Sequence, residues 1–179
     1  GEREQAALLA CRHLAALGLP RAHSRIALYL PMDGELDPAP IARLAGRRGC
    51  SLFAPEVTSH RARRMRFAPL AGRLRANRWG IDEPDPRGGI DGRWLDLVLL
   101  PCVAFDAAGN RLGMGAGFYD RHFAFLHRRE SWRRPRLLGL AYGFQRVPAL
   151  QRRGWDVPLD GMITDEGAVL LRRCDGESE

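Results

Sequence analysis

Residues 111–121 read Arg-Leu-Gly-Met-Gly-Ala-Gly-Phe-Tyr-Asp-Arg and follow an apolar run at 95–100. Gly113, Gly115 and Gly117 let the backbone approach a ligand closely and present consecutive N–H groups. A helix starting near Phe118 adds its positive end, so the segment suits an anion. Arg111 can neutralise a phosphate, and Asp120 can hold a magnesium ion that bridges phosphate oxygens. The spacing is not a dinucleotide fingerprint, because G-x-G-x-x-G needs glycine at 118 or 120 and meets Phe118 and Asp120. Each feature alone has a bland explanation: a tight turn, a solvated arginine, an acid favoured by a helix's first turn. Together, behind a buried strand, they mark the expected site, since open parallel sheets bind ligands at the carboxyl ends of their strands.

The remaining composition narrows the chemistry. All 28 basic residues are arginine, against 21 acids, for a net charge of +7. Without lysine there is no Walker A loop, no kinase β3 lysine and no Schiff base. GC-rich codon usage is the simplest account of the arginine excess. Cys11, Cys50, Cys102 and Cys174 are far apart with no C-x-x-C pair, which argues against a zinc site or disulfide framework and for buried small hydrophobes. The histidines are scattered, with His122 and His127 off the i, i+4 spacing of a metal-binding helix face, and no serine has a G-x-S-x-G context. No hydrolase nucleophile is expected.

Periodicity supplies the frame for these residues. Over 4–17, Leu8, Leu9, Leu14 and Leu17 recur among alanines at near-helical spacing, with Gly18 and Pro20 as stops. Residues 26–30 and 50–54 read as strands. Between them 31–37 is a loop, and Asp37 caps a helix with Pro38 at its first position, running to about Arg47. From 55 to 93 the pattern dissolves into Arg, Gly and Pro, with a short strand at 65–67 and a turn-rich stretch at 79–84. Residues 95–100 read as a strand buried on both faces, 118 to about 129 as a helix and 137–142 as a strand. Segments 162–164 and 168–171 flank Asp165-Glu166-Gly167 as a hairpin. The rhythm predicts one α/β domain over 1–179 with parallel pairing and crossover helices. The longest apolar run, 97–105, is broken by Pro101 and falls short of the roughly 18 residues of a membrane span. With no signal-peptide pattern at the charged start, a cytoplasmic protein is expected.

The string Phe105-Asp106, Gly109-Asn110-Arg111-Leu112-Gly113-Met114-Gly115 and Gly117-Phe118-Tyr119-Asp120-Arg121 closely resembles the signature of the 5-formyltetrahydrofolate cyclo-ligases, also called methenyltetrahydrofolate synthetases. Supporting segments are Tyr29-Leu30, Asp33-Gly34-Glu35, Gly80-Ile81, Glu83-Pro84, Gln145 and Trp155-Asp156-Val157-Pro158. The resemblance implies a three-layer, Rossmann-like domain of the sugar-phosphate isomerase/CoA-transferase type, with a mostly parallel sheet flanked by helices. It implies ATP- and magnesium-dependent closure of 5-formyltetrahydrofolate to 5,10-methenyltetrahydrofolate with release of ADP and phosphate. In that reaction the formyl oxygen attacks the γ-phosphate; the folate nitrogen at position 10 then closes on the activated carbon and expels phosphate. Such a transfer asks for positioning and charge stabilisation, not for a covalent nucleophile.

By the same resemblance, Arg111, Leu112, Gly113, Met114, Gly115, Ala116, Gly117, Phe118 and Tyr119 are the ATP-binding loop, with Met114 to Phe118 also facing the folate. Arg111 and Tyr119 are its catalytic candidates. Leu30 and Glu35 fall on folate-contacting positions, where a carboxylate can accept paired pterin N–H donors. Asp120 and Asp156 fall on magnesium-contacting positions. Ala116 stands where many relatives have glycine; the basic N-terminal Lys-x-x-x-Arg element that touches ATP in relatives would precede Gly1, and Arg3 does not convincingly replace it, so the N-terminal nucleotide contacts are unassigned.

The expected partners are 5-formyltetrahydrofolate and its polyglutamates, bound by a monomer. Seven arginines between Arg61 and Arg78, with no acid from 57 to 81, can attract a polyglutamate tail or, weakly and without sequence preference, nucleic acid. Only Phe67 and Trp79 interleave with them, so no specific nucleic acid is expected. The competing reading is a cyclo-ligase-like paralogue acting on another formylated compound, such as a thiamine breakdown product. A Glu35 turned away from the pocket would favour it.

Overall fold

The computed structural model describes residues 1–32, 34–70, 89–129 and 134–171, and the backbone alone of 74–76 and 82–84. Asp33, Arg73, Arg78, Trp79, Gly80, Ile81 and Cys174 lie outside the described residues. The elements are α1 (Glu2–Ala16), β1 (Arg25–Ala27), α2 (Ala39–Arg47), β2 (Ser51–Ser59), β3 (Arg64–Pro69), β4 (Leu74–Ala76) and β5 (Asp82–Pro84), then β6 (Leu97–Pro101), β7 (Ala104–Phe105), β8 (Arg111–Leu112), α3 (Phe118–His122), β9 (Arg136–Leu140), β10 (Gly161–Ile163) and β11 (Ala168–Leu170).

Seven strands form one sheet in the order β11-β10-β9-β6-β1-β2-β3. The five inner strands run parallel; β3 and β11 are antiparallel edges. Successive residues of the inner strands feed opposite faces: Leu97, Leu99, Leu138 and Ile163 join the core under α1 and α2, while Val98, Leu100, Leu137 and Met162 join Phe67, Phe123 and Leu126 on the other side. That alternation, apolar on both faces, is why 95–100 reads as a continuous apolar run. The architecture is the expected α/β fold with a mostly parallel sheet between helical layers.

Several elements depart from the sequence reading, each for a local reason. The buried stripe of α1 is Ala6, Ala7, Ala10 and Leu14, while Leu8 is exposed. Small residues let α1 lie close to α2 and β10, and His13 Nδ1 meets the Thr164 carbonyl oxygen at 2.9 Å. Helix α2 starts one residue later than expected. Asp37 Oδ1 still accepts the Ala39 N–H at 2.8 Å, so the cap acts from one position further out. Strand β1 ends at Ala27, because Tyr29 turns to donate its hydroxyl proton to the Leu36 carbonyl. Strand β2 continues through Pro55 to Ser59 and pairs with β3, where an irregular loop was expected. The predicted helix from 118 is broken after His122 into α3 and a 3-10 turn at Ala124–Arg128, which brings Phe123 and Leu126 into the core. Cys102 is buried as expected, but Cys11 and Cys50 are only partly so. The terminal hairpin forms as predicted, with Ile163 opposite Ala168 and the Thr164 N–H bonded to the Gly167 carbonyl at 2.8 Å.

Candidate active site

From β1 the chain crosses through α2 to β2 on one side, and β6 pairs on the other side of β1. The carboxyl ends of β1 and β6 therefore flank a topological switch point, where open α/β sheets form their ligand crevice. The turn carrying Tyr29, Leu30 and Glu35 leaves one end; Cys102, the β7–β8 hairpin and the glycine loop leave the other.

Asp106 sets the shape of that second connection. Its Oδ1 accepts the Ala108 and Asn110 N–H groups, both at 3.0 Å, and its Oδ2 accepts Asn110 Nδ2 and the Leu150 N–H, both at 2.9 Å. Burial opposes its charge, but these bonds outweigh burial and hold its carboxyl below the ordinary aspartate value. The turn closes on Gly109, whose φ is +84° and where an added Cβ would lie 2.9 Å from the Leu159 carbonyl oxygen. Arg111 thus leaves β8 directly opposite Phe105.

Arg111 is nearly buried, with a side chain 8% exposed, and Nη2 donates to Asp120 Oδ1 at 3.0 Å. The same oxygen accepts the Val157 N–H at 2.9 Å, so one carboxylate joins β8, α3 and the segment before β10. Arg111 Nε is buried without a partner among the described residues, a donor awaiting an acceptor. The guanidinium lies 5.9 Å from the centre of the Tyr119 ring. Between Arg111 and α3, Gly115 and Gly117 take left-handed conformations, with φ of +88° and +68°, whereas Gly113 does not. Helix α3 spans only five residues, so its dipole contributes little and the anion must be met by loop N–H groups and arginine.

Asp156 lines the same narrow cleft as Asn110, Arg111, Asp120, Val157 and Pro158. Its Oδ2 accepts the Arg153 N–H at 2.8 Å. Each of Asp120 and Asp156 thus has one oxygen engaged and the other without a protein partner among the described residues. No cluster of three or more His, Cys, Asp or Glu occurs among the described residues. Two carboxylates on a shared cleft suit a magnesium ion that takes its other ligands from phosphates and water.

Tyr29, Glu35, Cys102 and Tyr119 lie near one another at these strand ends, close enough for their charges to interact, with Arg111 near Cys102 and Tyr119. Burial raises both phenols well above their ordinary values and pushes the Cys102 thiol up to about 12, the nearby Arg111 pulling that thiol only partly back. All three are therefore neutral at physiological pH: donors, not nucleophiles or bases. Glu35 is half-buried. Burial raises its carboxyl despite the Met32 N–H, which it accepts at 2.9 Å. Gln145 Nε2 ties the turn after β9 to the end of β6, donating to the Cys102 carbonyl at 2.7 Å.

The structure therefore gathers Arg111, Asp120 and Asp156 on one cleft, with Glu35 and Tyr119 beside it. Met114 and Leu112 stand out into solvent and Ala116 is exposed; Phe118 and Leu30 are partly buried. Asp106 and Cys102 are neighbours to which sequence reasoning gave no part in the site, and Arg63, at the β2–β3 turn, was read only as one of a diffuse set of arginines. Asp106 was legible as an Asx-turn acid before Gly109; the placement of Cys102 and Arg63 arises only from tertiary folding.

Fold and site together have the form of an α/β enzyme with a glycine loop at the switch point of a mostly parallel sheet. A model of the 5-formyltetrahydrofolate cyclo-ligase family matches residues 1–165, and the chain belongs to that family. It is similar to the 5-formyltetrahydrofolate cyclo-ligase of Haemophilus influenzae, 33% identical over 88% of this chain and 84% of the relative. The Escherichia coli protein of the same name is 34% identical over 78% of this chain and 76% of its own length. Among solved structures, the 5,10-methenyltetrahydrofolate synthetase of Aquifex aeolicus matches with a TM-score of 0.76 and 30% identity, covering 100% of this chain and 88% of that one. The Mycoplasma pneumoniae synthetase matches with a TM-score of 0.69 and 26% identity, over 92% of this chain and 88% of its own.

Proposed function

We propose that this protein converts 5-formyltetrahydrofolate to 5,10-methenyltetrahydrofolate, consuming ATP and releasing ADP and phosphate. The observation that carries the reading is the cleft that Arg111, Asp120 and Asp156 share beside the glycine loop, at the strand ends from which the turn carrying Glu35 also leaves. A pterin acceptor and a phosphate cradle therefore share one crevice.

The formyl oxygen attacks the γ-phosphorus and ADP leaves. The nitrogen at position 10 then bonds the activated carbon and gives up its proton, and the carbon–oxygen bond breaks so that phosphate departs with the former formyl oxygen and takes up that proton. Glu35 accepts from the pterin's N–H donors and fixes the formyl group's direction. The glycine-loop N–H groups and the free Arg111 Nε–H meet phosphate oxygens, and Tyr119, kept neutral by burial, donates a hydrogen bond. Cys102 stays a thiol and takes no covalent part. Asp120 and Asp156 would hold magnesium, which when bound supplies charge neutralisation at the phosphates.

Exposed arginines of the β2–β3 hairpin, Arg61 and Arg64 among them, would draw polyglutamate tails over a range that salt shortens. A polyglutamate preference that persists unchanged at high salt refutes that part. No described helix is long and apolar enough to cross a membrane; the proposed enzyme works as a monomer in the cytoplasm. The decisive experiment follows methenyl absorbance when the protein meets 5-formyltetrahydrofolate and magnesium, with and without ATP. An ATP-dependent rise that Asp120→Ala abolishes supports the reading, and no rise with any combination refutes it.

A further inference from the structure

The turn of the β2–β3 hairpin brings a second cation to the glycine loop. Arg63 Nη1 lies 3.7 Å from the point a Cβ on Gly117 would occupy, and Arg111 Nη1 lies 3.4 Å from the corresponding point on Gly113. Two guanidinium groups thus flank the loop, and nothing stands within 4 Å of the corresponding point on Gly115 between them. Their circumstances differ. Arg111 is met by Asp120, whereas Arg63 is exposed and makes no ion pair among the described residues.

The backbone at Arg63 is itself informative. Its φ is +48°, a conformation that glycine adopts freely and an arginine adopts at a cost. The turn is nevertheless built around it. The Arg63 N–H bonds the His60 carbonyl at 3.3 Å and the Ala62 N–H bonds Ser59 Oγ at 3.1 Å. The turn is then fastened to α3. Arg121 Nη1 donates to the Ala62 carbonyl at 3.3 Å, and the His60 ring meets Phe118 edge-on at 6.1 Å. A turn held against the loop, carrying an arginine where glycine would fit more easily and leaving its charge unmet, has the properties of a ligand-contacting element.

We propose that Arg63 contacts the phosphate chain of the nucleotide at the Gly117 end of the glycine loop, with Arg111 at the Gly113 end. The assignment rests on ATP being the co-substrate. The glycine loop and Arg111 take the transferred phosphoryl group, and Arg63 neutralises phosphate charge beside Gly117, as a point of attachment in the ground state. Its loss therefore weakens nucleotide binding more than it slows the chemical step.

The test compares Arg63→Gly, Arg63→Ala and Arg63→Lys with the parent protein. Glycine is the informative replacement: it suits the positive φ, so its melting temperature should equal or exceed the parent's, which removes misfolding as an explanation. The expected result for Arg63→Gly is a KM for ATP raised roughly tenfold, the loss of one charge-assisted phosphate contact, with kcat changed far less and KM for 5-formyltetrahydrofolate unchanged. Arg63→Lys should recover part of the affinity. Binding of a non-hydrolysable ATP analogue by calorimetry, without folate, should weaken in parallel. This arm stands even if the parent forms no methenyl product, so failure of the proposed reaction and failure of the Arg63 assignment are distinguishable. Unchanged analogue affinity and ATP KM in Arg63→Gly overturn the proposal. So does a rise confined to the KM of polyglutamylated folate, which would place the contact on the substrate's carboxylates instead.

Discussion

Asp106 touches no reacting atom, yet four hydrogen bonds make it the pin on which the site's second connection turns, and its removal has a calculable cost. In Asp106→Asn, one amide group replaces one oxygen. Whichever way the amide is turned, two of the four donors at 2.9–3.0 Å then face an N–H2 group rather than an acceptor. At roughly 1.5 kcal/mol for each charge-assisted bond lost, the variant should be about 3 kcal/mol less stable. For a chain of this length that lowers the melting temperature by roughly 6–12 °C. Asp106→Ala loses all four acceptors and should fall further. The pH dependence supplies a second check. The folded carboxyl lies below its ordinary value of 3.8, so its stabilisation is complete above that value and fades as pH falls through the folded one. The gap between parent and Asp106→Asn should therefore be widest near neutrality and narrow below about pH 4. Thermal unfolding followed by circular dichroism measures both, and amide exchange should quicken at Ala108, Asn110 and Leu150. Coincident melting of parent and Asp106→Asn at pH 7 would refute the claim that this carboxylate holds the connection.

Asp120→Ala strands Arg111 without a counter-ion and leaves the Val157 N–H unbonded. Unfolding in a chelating buffer, where no metal contributes, should show a loss of about 3 kcal/mol, and a smaller loss for Asp120→Asn, which keeps the Val157 bond. His122 accepts the Gly92 N–H at 3.0 Å, and burial among Phe67 and Phe123 lowers its value from 6.5, with Asp91 pulling the other way. Its neutral form is the folded one, so stability should be full above pH 6.5 and decline as pH falls through the lowered value; His122→Gln should flatten that part of a pH–melting profile. Glu35→Gln should raise KM for the folate by about tenfold while leaving KM for ATP unchanged, the loss of one charged acceptor. The parent's folate KM should begin to rise, on acidification, at a pH higher than an ordinary glutamate at 4.5 would give, because burial raises the Glu35 carboxyl.

What could be read along the chain was whatever depends on near neighbours. The strand at 95–100 announces itself because both of its faces are buried. The cap at Asp37 and the terminal hairpin follow from residues two or three positions apart, and Arg111, the glycines and Asp120 occupy a single stretch of ten residues. The β2–β3 ribbon was hidden because its outward face is arginine. Arg64 and Arg66 alternate with the buried Met65 and Phe67, a period-two pattern too short to be distinguished from loop without its partner strand. The break after His122 was hidden for the opposite reason: 118–129 carries helical spacing, but Phe123 and Leu126 reach the core only if the chain tightens.

The same distinction separates the two cations of the site. Arg111 could be assigned a role from its place beside the glycines, and the structure adds that Asp120 already balances its charge. Arg63 lies about fifty residues before that loop, in a segment whose composition suggested only a diffuse basic surface. Its closeness to Gly117 exists because β2 and β3 pair and their turn docks on α3. If the cleft holds two carboxylates and a compensated arginine, an incoming triphosphate needs cationic charge from elsewhere on the protein as well as from any metal. Arg63, beside Gly117 and without an ion pair among the described residues, is a cation that the fold brings to the glycine loop to meet that need.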